Sequence, residues 1–329
     1  MNFKALRVEE TANGEFEKSI VERTLNDLPE GELVVRVHYS SLNFKDALSA
    51  HGNRGVTRKF PHTPGIDAAG EVVEDASGTY KAGDKVIITG YDLGMNTDGG
   101  LAEYIRIPAS WAVALPEGIS MRESMILGTA GLTAALCVQK LLNAGAKPED
   151  GDVIVTGSTG GVGTVAIALL AKLGFKVTAA TGKLEASQHL NDLGANCVIE
   201  RDSLNEFSSK PMVKPQWAHG IDTLGGDYLF NVVKALQYGG SVAACGLAAA
   251  ADFKANVFPF ILRNVNLLGV DSVELPLATK ADVWQKLASD FKLDGLGSMA
   301  EEISLEQVPQ YLDRIFNGNA LGRYLVKLN

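Results

Sequence analysis

Between Thr156 and Gly163 the chain reads Thr-Gly-Ser-Thr-Gly-Gly-Val-Gly, four glycines in eight residues. Glycines at this density let a backbone come close to an anion, and the flanking residues indicate which anion. Before them, Val153, Ile154 and Val155 make a β-branched run suited to a buried parallel strand. After them, Val162, Val165, Ala166, Leu169, Leu170 and Leu173 recur at helical spacing. A strand running through glycines into a helix sets free N–H groups and the positive end of the helix dipole where a pyrophosphate can sit. Gly160 and Gly161 are expected to take turns closed to other residues, and Gly163 to let the helix pack on the strand. The spacing departs from G-x-G-x-x-G, since Ser158 stands where the first glycine would fall and Gly157 is one residue earlier. Alone, the cluster is weak evidence, and a tight strand–helix turn without ligand is its other reading.

The end of the next strand indicates which nucleotide. A site preferring NAD places Asp or Glu about 20 residues after the glycines, to hold the ribose 2′-hydroxyl. Here Thr181-Gly182-Lys183 offers a hydroxyl, a flexible backbone and a cation, with Glu185 too late to act as the acid. This combination suits a 2′-phosphate, the alternative being a solvated surface lysine. NADPH is the expected cofactor.

These residues need a scaffold, and the sequence supplies an alternating one. Strands are expected at 176–180, 196–199, 221–224, 241–245 and 266–270, with helices at 184–193 and 228–236 between them. That rhythm predicts an α/β fold, a Rossmann doubly wound parallel sheet with ligand along the carboxyl ends of its strands, at Thr156, Thr181, Leu224 and Gly246. The segment before about Ile119 reads differently. Short strands at 32–37, 70–73 and 85–88, separated by Gly, Pro and Asp turns, predict a compact, mostly antiparallel β domain. A helical pattern runs from Met121 through Thr133 to Leu142. A last strand at 324–328 could return to the first domain, so the expected division is 1–122 with 271–329 around a nucleotide domain at 123–270.

At 329 residues, 46% apolar and 21% charged, the chain has the length of two domains and the composition of a globular enzyme. A formal charge of −9 argues against a nucleic-acid or membrane-surface role, because both rely on a basic field. The N-terminus shows no apolar signal segment, and no apolar run reaches the ~18 residues of a membrane span, so a cytoplasmic location is expected. Cys137, Cys197 and Cys245 are widely spaced in apolar surroundings and read as buried reduced thiols. The five histidines lack zinc spacing, and no metal is expected.

Several separate motifs carry a resemblance. Residues 40–46 (SSLNFKD), 64–70 (PGIDAAG), 82–86 (AGDKV) and 99–104 (GGLAEY) resemble the GroES-like domain of medium-chain dehydrogenase/reductases. Residues 128–134 (GTAGLTA), 243–247 (AACGL), 259–264 (PFILRN) and 269–272 (GVDS) resemble the quinone-oxidoreductase-like branch that contains the NADPH-dependent acryloyl-CoA reductases. Where zinc alcohol dehydrogenases carry Gly-His-Glu this chain has Gly65-Ile66-Asp67, and Asn43 replaces a cysteine ligand. Alcohol oxidation on a Lewis acid is therefore not expected. The resemblance implies instead zinc-independent reduction of the C=C bond of a short 2-enoyl-CoA, most simply acryloyl-CoA to propionyl-CoA. Its alternatives are an NADPH:quinone reductase and a non-catalytic NADPH-binding protein.

The resemblance also implies roles. Arg323 would contact the cofactor or act as an electrophile, and Asn43 would orient the thioester. Asp46 reads as a helix-start residue. Phe44, Thr159, Gly160, Gly161, Val162, Thr181, Gly182, Lys183, Arg201, Leu247, Ile261 and Ser272 would contact NADPH. Arg54, Arg58 and Lys59 could attract CoA phosphates or form a solvated basic loop. Arg54 also stands where related enoyl-thioester reductases keep a tyrosine, which leaves the proton donor unassigned. A homodimer paired through the edge of the sixth Rossmann strand is expected.

Overall fold

In chain order, a β-hairpin of β1 (Asn2–Glu10) and β2 (Phe16–Thr24) is followed by β3 (Leu33–Ser41), α1 (Phe44–Ala50) and β4 (Asp67–Asp75), then β5 (Lys85–Thr89), β6 (Tyr104–Ile107) and β7 (Ala112–Ala114). The long helix α2 (Met121–Asn143) leads to β8 (Val153–Thr156), α3 (Gly161–Lys172), β9 (Val177–Thr181), α4 (Ser187–Asp192), β10 (Cys197–Glu200), β11 (Trp217–Asp222), α5 (Gly226–Ala235), β12 (Leu236–Ala244), α6 (Phe258–Arg263) and β13 (Asn266–Gly269). The chain closes with α7 (Leu277–Leu287), β14 (Ala300–Ser304), α8 (Val308–Phe316) and β15 (Arg323–Lys327). This computed structural model describes residues 2–328; Met1 and Asn329 lie outside the described residues.

Two units result, Met1–Leu132 with Ser272–Asn329, and Thr133–Asp271. In the first, a sheet ordered β14-β15-β3-β4-β5-β7, with β6 also on β3, is antiparallel except for the β14–β15 pair. The last strand returns to this sheet, where Leu325 pairs with Ser41. One face carries a core of Leu33, Val35, Val72, Ile88, Ile105 and Ile107, as the alternation of apolar residues along the strands dictates. Another core gathers Leu6, Leu42, Ala47, Tyr311, Leu312 and Val326, and thereby fixes the start of α1 against the last strand.

The second unit is the parallel sheet β10-β9-β8-β11-β12-β13, each strand in parallel register with its neighbour. The fourth Rossmann strand begins at Trp217 rather than near Ile221. Its pattern is masked in the sequence by His219, which is buried because its Nε2 lies 3.1 Å from Asp150 Oδ2. The fifth strand is longer than expected, and the expected helix 184–193 is a 3₁₀ turn at Leu184–Ala186 followed by the short α4.

Two compositional readings need correction. Helix α2 is long and apolar enough to cross a membrane by composition, but most of its apolar window is buried in the protein, so it is a core helix. Of the cysteines only Cys137 is buried; its thiol is raised by a hydrogen bond with Cys245 and then by burial. Cys245 is half-buried, and Cys197 is exposed because it lies on the edge strand β10.

Candidate active site

In the first unit the site is built where β3 ends and α1 begins. Asn43 is the N-cap residue of α1, and its backbone N–H donates to Asp46 Oδ2 at 2.7 Å. Asp46 is fully buried, and its Oδ1 accepts from the N–H groups of Gly65 (3.1 Å) and Ile66 (2.9 Å). The expected helix-start role thus extends further, because the carboxylate ties the helix to the turn that precedes β4. Burial, and then the nearby Asp67 charge, push its pKa up to about 7.

Asp67, the first residue of β4, is the hub. Its carboxylate accepts from Ser41 Oγ (2.7 Å), Asn43 Nδ2 (2.7 Å), Thr129 Oγ1 (2.6 Å) and the Thr129 N–H (2.9 Å). Thr129 can approach because α2 kinks at Gly128, which has φ 54° and ψ −156°. A Cβ there would collide with Asp67 Oδ2 and Ser41 Oγ and come within 2.7 Å of Arg323 Nη2, so glycine is required by both conformation and space.

Arg323 opens the last strand and is 3% exposed. Its Nε donates to Ile126 O (2.9 Å), and its Nη1 to Leu42 O (3.0 Å) and Asn43 Oδ1 (3.3 Å). Nη2 is buried with no hydrogen-bond partner among the described residues, 4.0 Å from Asp67 Oδ2. Burial pulls the guanidinium pKa down, while Asp67 and Asp46 oppose that. Both ends of the Asn43 amide are engaged, one by Asp67 and one by Arg323. The donor with hydrogen-bonding capacity to spare is therefore Arg323 Nη2, with Asn43 and Asp67 holding it in place. Phe44, the next residue in α1, is 41% exposed.

In the second unit, Gly157 rather than Gly160 or Gly161 takes the left-handed conformation, with φ 60°. Gly160 is the N-cap of α3, with φ −80°. A Cβ on Gly163 would collide with Gly157 O and Ser158 Cα, so helix and strand approach as the sequence suggested. Thr159 Oγ1 lies 3.3 Å from Thr181 Oγ1, and Thr181 Oγ1 accepts from the Lys183 N–H at 3.0 Å. A Cβ on Gly182 would stand 3.3 Å from Arg201 Cζ, so Arg201 spreads its guanidinium over that glycine. Arg201 also pairs with Asp202 at 2.8 Å and stacks over Tyr228. Burial lowers the Lys183 pKa. The loop and the Thr181, Lys183 and Arg201 cluster have the donors and cations that a dinucleotide with a 2′-phosphate requires. Val162 lies in the first turn of α3, Leu247 is 61% and Ile261 69% exposed, and Ser272 is buried.

The structure puts Arg54 to another use. Its Nη2 pairs with Glu10 at 2.6 Å, and its guanidinium lies over the Phe16 and Phe60 rings. Arg58 and Lys59 are exposed. Among the described residues no group of three His, Cys, Asp or Glu is placed to hold a metal ion. Ile66 and Asn43 offer no ligand pair, and the donors around Asp67 and Asp46 occupy their oxygens, so a catalytic zinc does not fit this donor set. Sequence reasoning missed Asp67, Ser41 and Thr129 as site residues. The available signal was an aspartate followed by Ala-Ala-Gly in an apolar strand, a position that demands buried partners.

Asp46 and Asp222, the latter raised to about 6 by burial, give a pH prediction. Their folded pKa values exceed the unfolded ones, so the native state holds more protons than the unfolded chain between about pH 4 and 7. The associated stability is fully present below that window and is lost as pH rises through 6 and 7. For Asp46→Asn, the slope of unfolding free energy against pH in this window is expected to flatten by up to about 1.4 kcal/mol per pH unit. Denaturant unfolding at several pH values measures it, and an unchanged slope would count against the raised pKa.

Comparison with known proteins agrees with this architecture. Residues 29–117 match the alcohol dehydrogenase GroES-like domain and residues 161–289 the zinc-binding dehydrogenase family. The chain is 47% identical over 302 residues to the probable acrylyl-CoA reductase AcuI of Escherichia coli, covering 92% of this chain and 93% of that protein. It is 43% identical to the putative quinone oxidoreductase YhfP of Bacillus subtilis over 99% of both chains. The YhfP crystal structure with NAD bound aligns with a TM-score of 0.96, covering 100% of both chains. The YhdH oxidoreductase of Salmonella enterica in complex with NADP, 45% identical, aligns with a TM-score of 0.96 and covers 100% of both chains. With two family domains matched in sequence and both units matched in structure, this chain belongs to the medium-chain dehydrogenase/reductase superfamily, in the quinone-oxidoreductase-like branch that holds AcuI and YhdH.

Proposed function

We propose that this protein uses NADPH to reduce the C=C bond of a short 2-enoyl-CoA, acryloyl-CoA to propionyl-CoA in the first instance. The observation that carries the reading is Arg323 Nη2, a buried cationic donor with no hydrogen-bond partner among the described residues, in a site whose donor set does not suit a zinc. A conjugated thioester accepts hydride at its β-carbon if a donor holds the carbonyl oxygen as it becomes an enolate, so no Lewis acid is needed. NADPH, when bound, supplies the hydride. Arg323 would hold the oxygen, Asn43 and Asp67 would keep the guanidinium oriented, and the buried setting would strengthen the bond. The reaction named for AcuI and the NADP bound by YhdH support the same assignment.

The cofactor would lie on the loop from Gly157 to Gly163, with its 2′-phosphate met by Thr181, Lys183 and Arg201. Because YhfP was crystallised with NAD, cofactor preference is a sharp test. Lys183→Glu is expected to weaken NADPH binding by about 1–3 kcal/mol, the scale of a lost charge-assisted bond, and to leave NADH nearly unchanged. Equal affinity of the wild-type protein for NADH and NADPH would overturn the assignment.

The name of YhfP favours a second reading, quinone reduction with the same cofactor. NADPH oxidation followed in parallel with acryloyl-CoA, crotonyl-CoA and a quinone separates the two. Faster turnover of the quinone than of either thioester would reverse the conclusion. A homodimer joined through the β13 edge fits the exposed apolar side chains of Leu262 and Leu267 on and beside that strand.

A further inference from the structure

Helix α1 carries a second feature, two residues beyond Asn43. Lys45 is half-buried, and among the described residues the hydrogen-bond partner of its Nζ is the thioether of Met95, at 4.0 Å. A thioether is a weak acceptor and carries no charge, so a partly desolvated ammonium is left without an anion. Next along the same loop is Asn96, whose Oδ1 accepts from the Arg58 N–H at 3.3 Å. Lys45 and Arg58 are thereby brought to adjacent residues of one loop, with Lys59 following. Among the described residues none of these three cations has an ion pair within 4.0 Å. All three carboxylates of the loop are occupied, Glu103 by the Lys4 N–H at 2.7 Å. Asp98 is bound by Arg7 (2.8 Å) and Arg23 (2.7 Å), and Asp92 accepts from Asn96 Nδ2 and Thr97 Oγ1, both at 2.9 Å. Arg54 is neutralised by Glu10. In a chain of formal charge −9 this leaves three cations without a counter-charge among the described residues, on two segments that meet at Met95 and Asn96, one of them the helix that Asn43 caps.

We propose that Lys45 and Arg58, flanking Met95 and Asn96, bind the phosphate groups of the CoA portion of the substrate, and that Arg54 takes no part. This rests on the enoyl-CoA reading of the site, and it makes the patch the feature that distinguishes a CoA thioester from a simpler one. Arg54 is engaged elsewhere, by Glu10 at 2.6 Å and by Arg58 O at 3.0 Å, while Arg58 is tied to Asn96 through its own backbone N–H.

The test is calorimetric binding of free CoA and of pantetheine, which has the same thiol arm without the nucleotide phosphates. For the double variant Lys45→Ala/Arg58→Ala, CoA binding is expected to weaken by about tenfold or more, the range for charge-assisted bonds. Pantetheine binding should stay unchanged, and added salt should weaken wild-type CoA binding more than that of the variant. Arg54→Ala should keep wild-type CoA affinity. Unchanged CoA affinity in the double variant overturns the proposal. Equal losses for CoA and pantetheine also overturn it, since they would mark a general distortion, and so does a loss in Arg54→Ala as large as that of the double variant. Because no turnover is measured, a wild-type protein that binds CoA through these residues yet fails to reduce acryloyl-CoA would sink the enoyl-CoA reading alone.

Discussion

Arg323→Ala is expected to lower kcat for acryloyl-CoA by on the order of 10²–10³, the usual cost of removing one oxyanion donor, with little change in KM. Nη2 is the guanidinium atom with no hydrogen-bond partner among the described residues, because Nε and Nη1 are spent on Ile126 O, Leu42 O and Asn43 Oδ1. A donor used only as charge develops on the thioester oxygen acts on kcat, whereas uniform binding would act on KM. The same substitution strips a donor from two buried carbonyls, so the fold must be monitored in parallel. Arg323→Lys supplies the control. It keeps the charge beside Asp67, but its single ammonium cannot serve three protein acceptors and a ligand at once. The lysine variant should therefore recover stability more fully than rate. Single-turnover NADPH oxidation together with thermal unfolding checks both, and a wild-type kcat for Arg323→Ala would make the residue purely structural.

Asp67→Ala is expected to be the most destabilising single change at this site, by about 3–5 kcal/mol, the scale for breaking a buried pair from one side. Asp67 is fully buried and receives Ser41, Asn43 and Thr129 together. Its loss would leave those donors unsatisfied and the buried Arg323 charge uncompensated. Asp67→Asn keeps the shape and one acceptor but brings an N–H₂ group toward Thr129 and Arg323, so a smaller stability loss with an equally severe loss of rate is expected. Chemical denaturation and NADPH-dependent turnover measure the two separately. An Asp67→Ala protein as stable as wild type would show that the cluster can repack around the cavity.

Much of this protein is decided by local chemistry. The parallel sheet is legible because buried strands must be apolar and their helices must show a helical stripe, and residues 153–173 satisfy both in one stretch. The cofactor is legible for a similar reason, since Thr181, Gly182 and Lys183, the residues proposed to meet a 2′-phosphate, lie together at the end of a strand whose position the glycines announce. Legibility failed where a long-range partner sets the outcome. His219 hides the start of β11 because Asp150, far away in sequence, satisfies it, and Cys197 is exposed because only the strand order puts β10 at an edge.

Gly157 is another case. Several glycines were available to the turn, and which one takes φ 60° depends on packing against Thr223 and Leu224. Arg54 and Arg58 look alike in sequence, yet the hairpin of β1 and β2 brings Glu10 and Phe16 to the first and leaves the second exposed. The candidate site divides in the same way. Asn43, Asp67, Thr129 and Arg323 come from four separate segments, and each alone is an ordinary polar residue. The sequence by itself determined the fold class and the nucleotide loop, because hydrophobic period and turn chemistry are local properties. Only the tertiary structure decided that one aspartate gathers those residues, that one nitrogen of Arg323 is left over, and hence where a reacting oxygen could be held. Those outcomes depend on burial and on hydrogen bonds between residues as much as 281 positions apart, which no local pattern encodes.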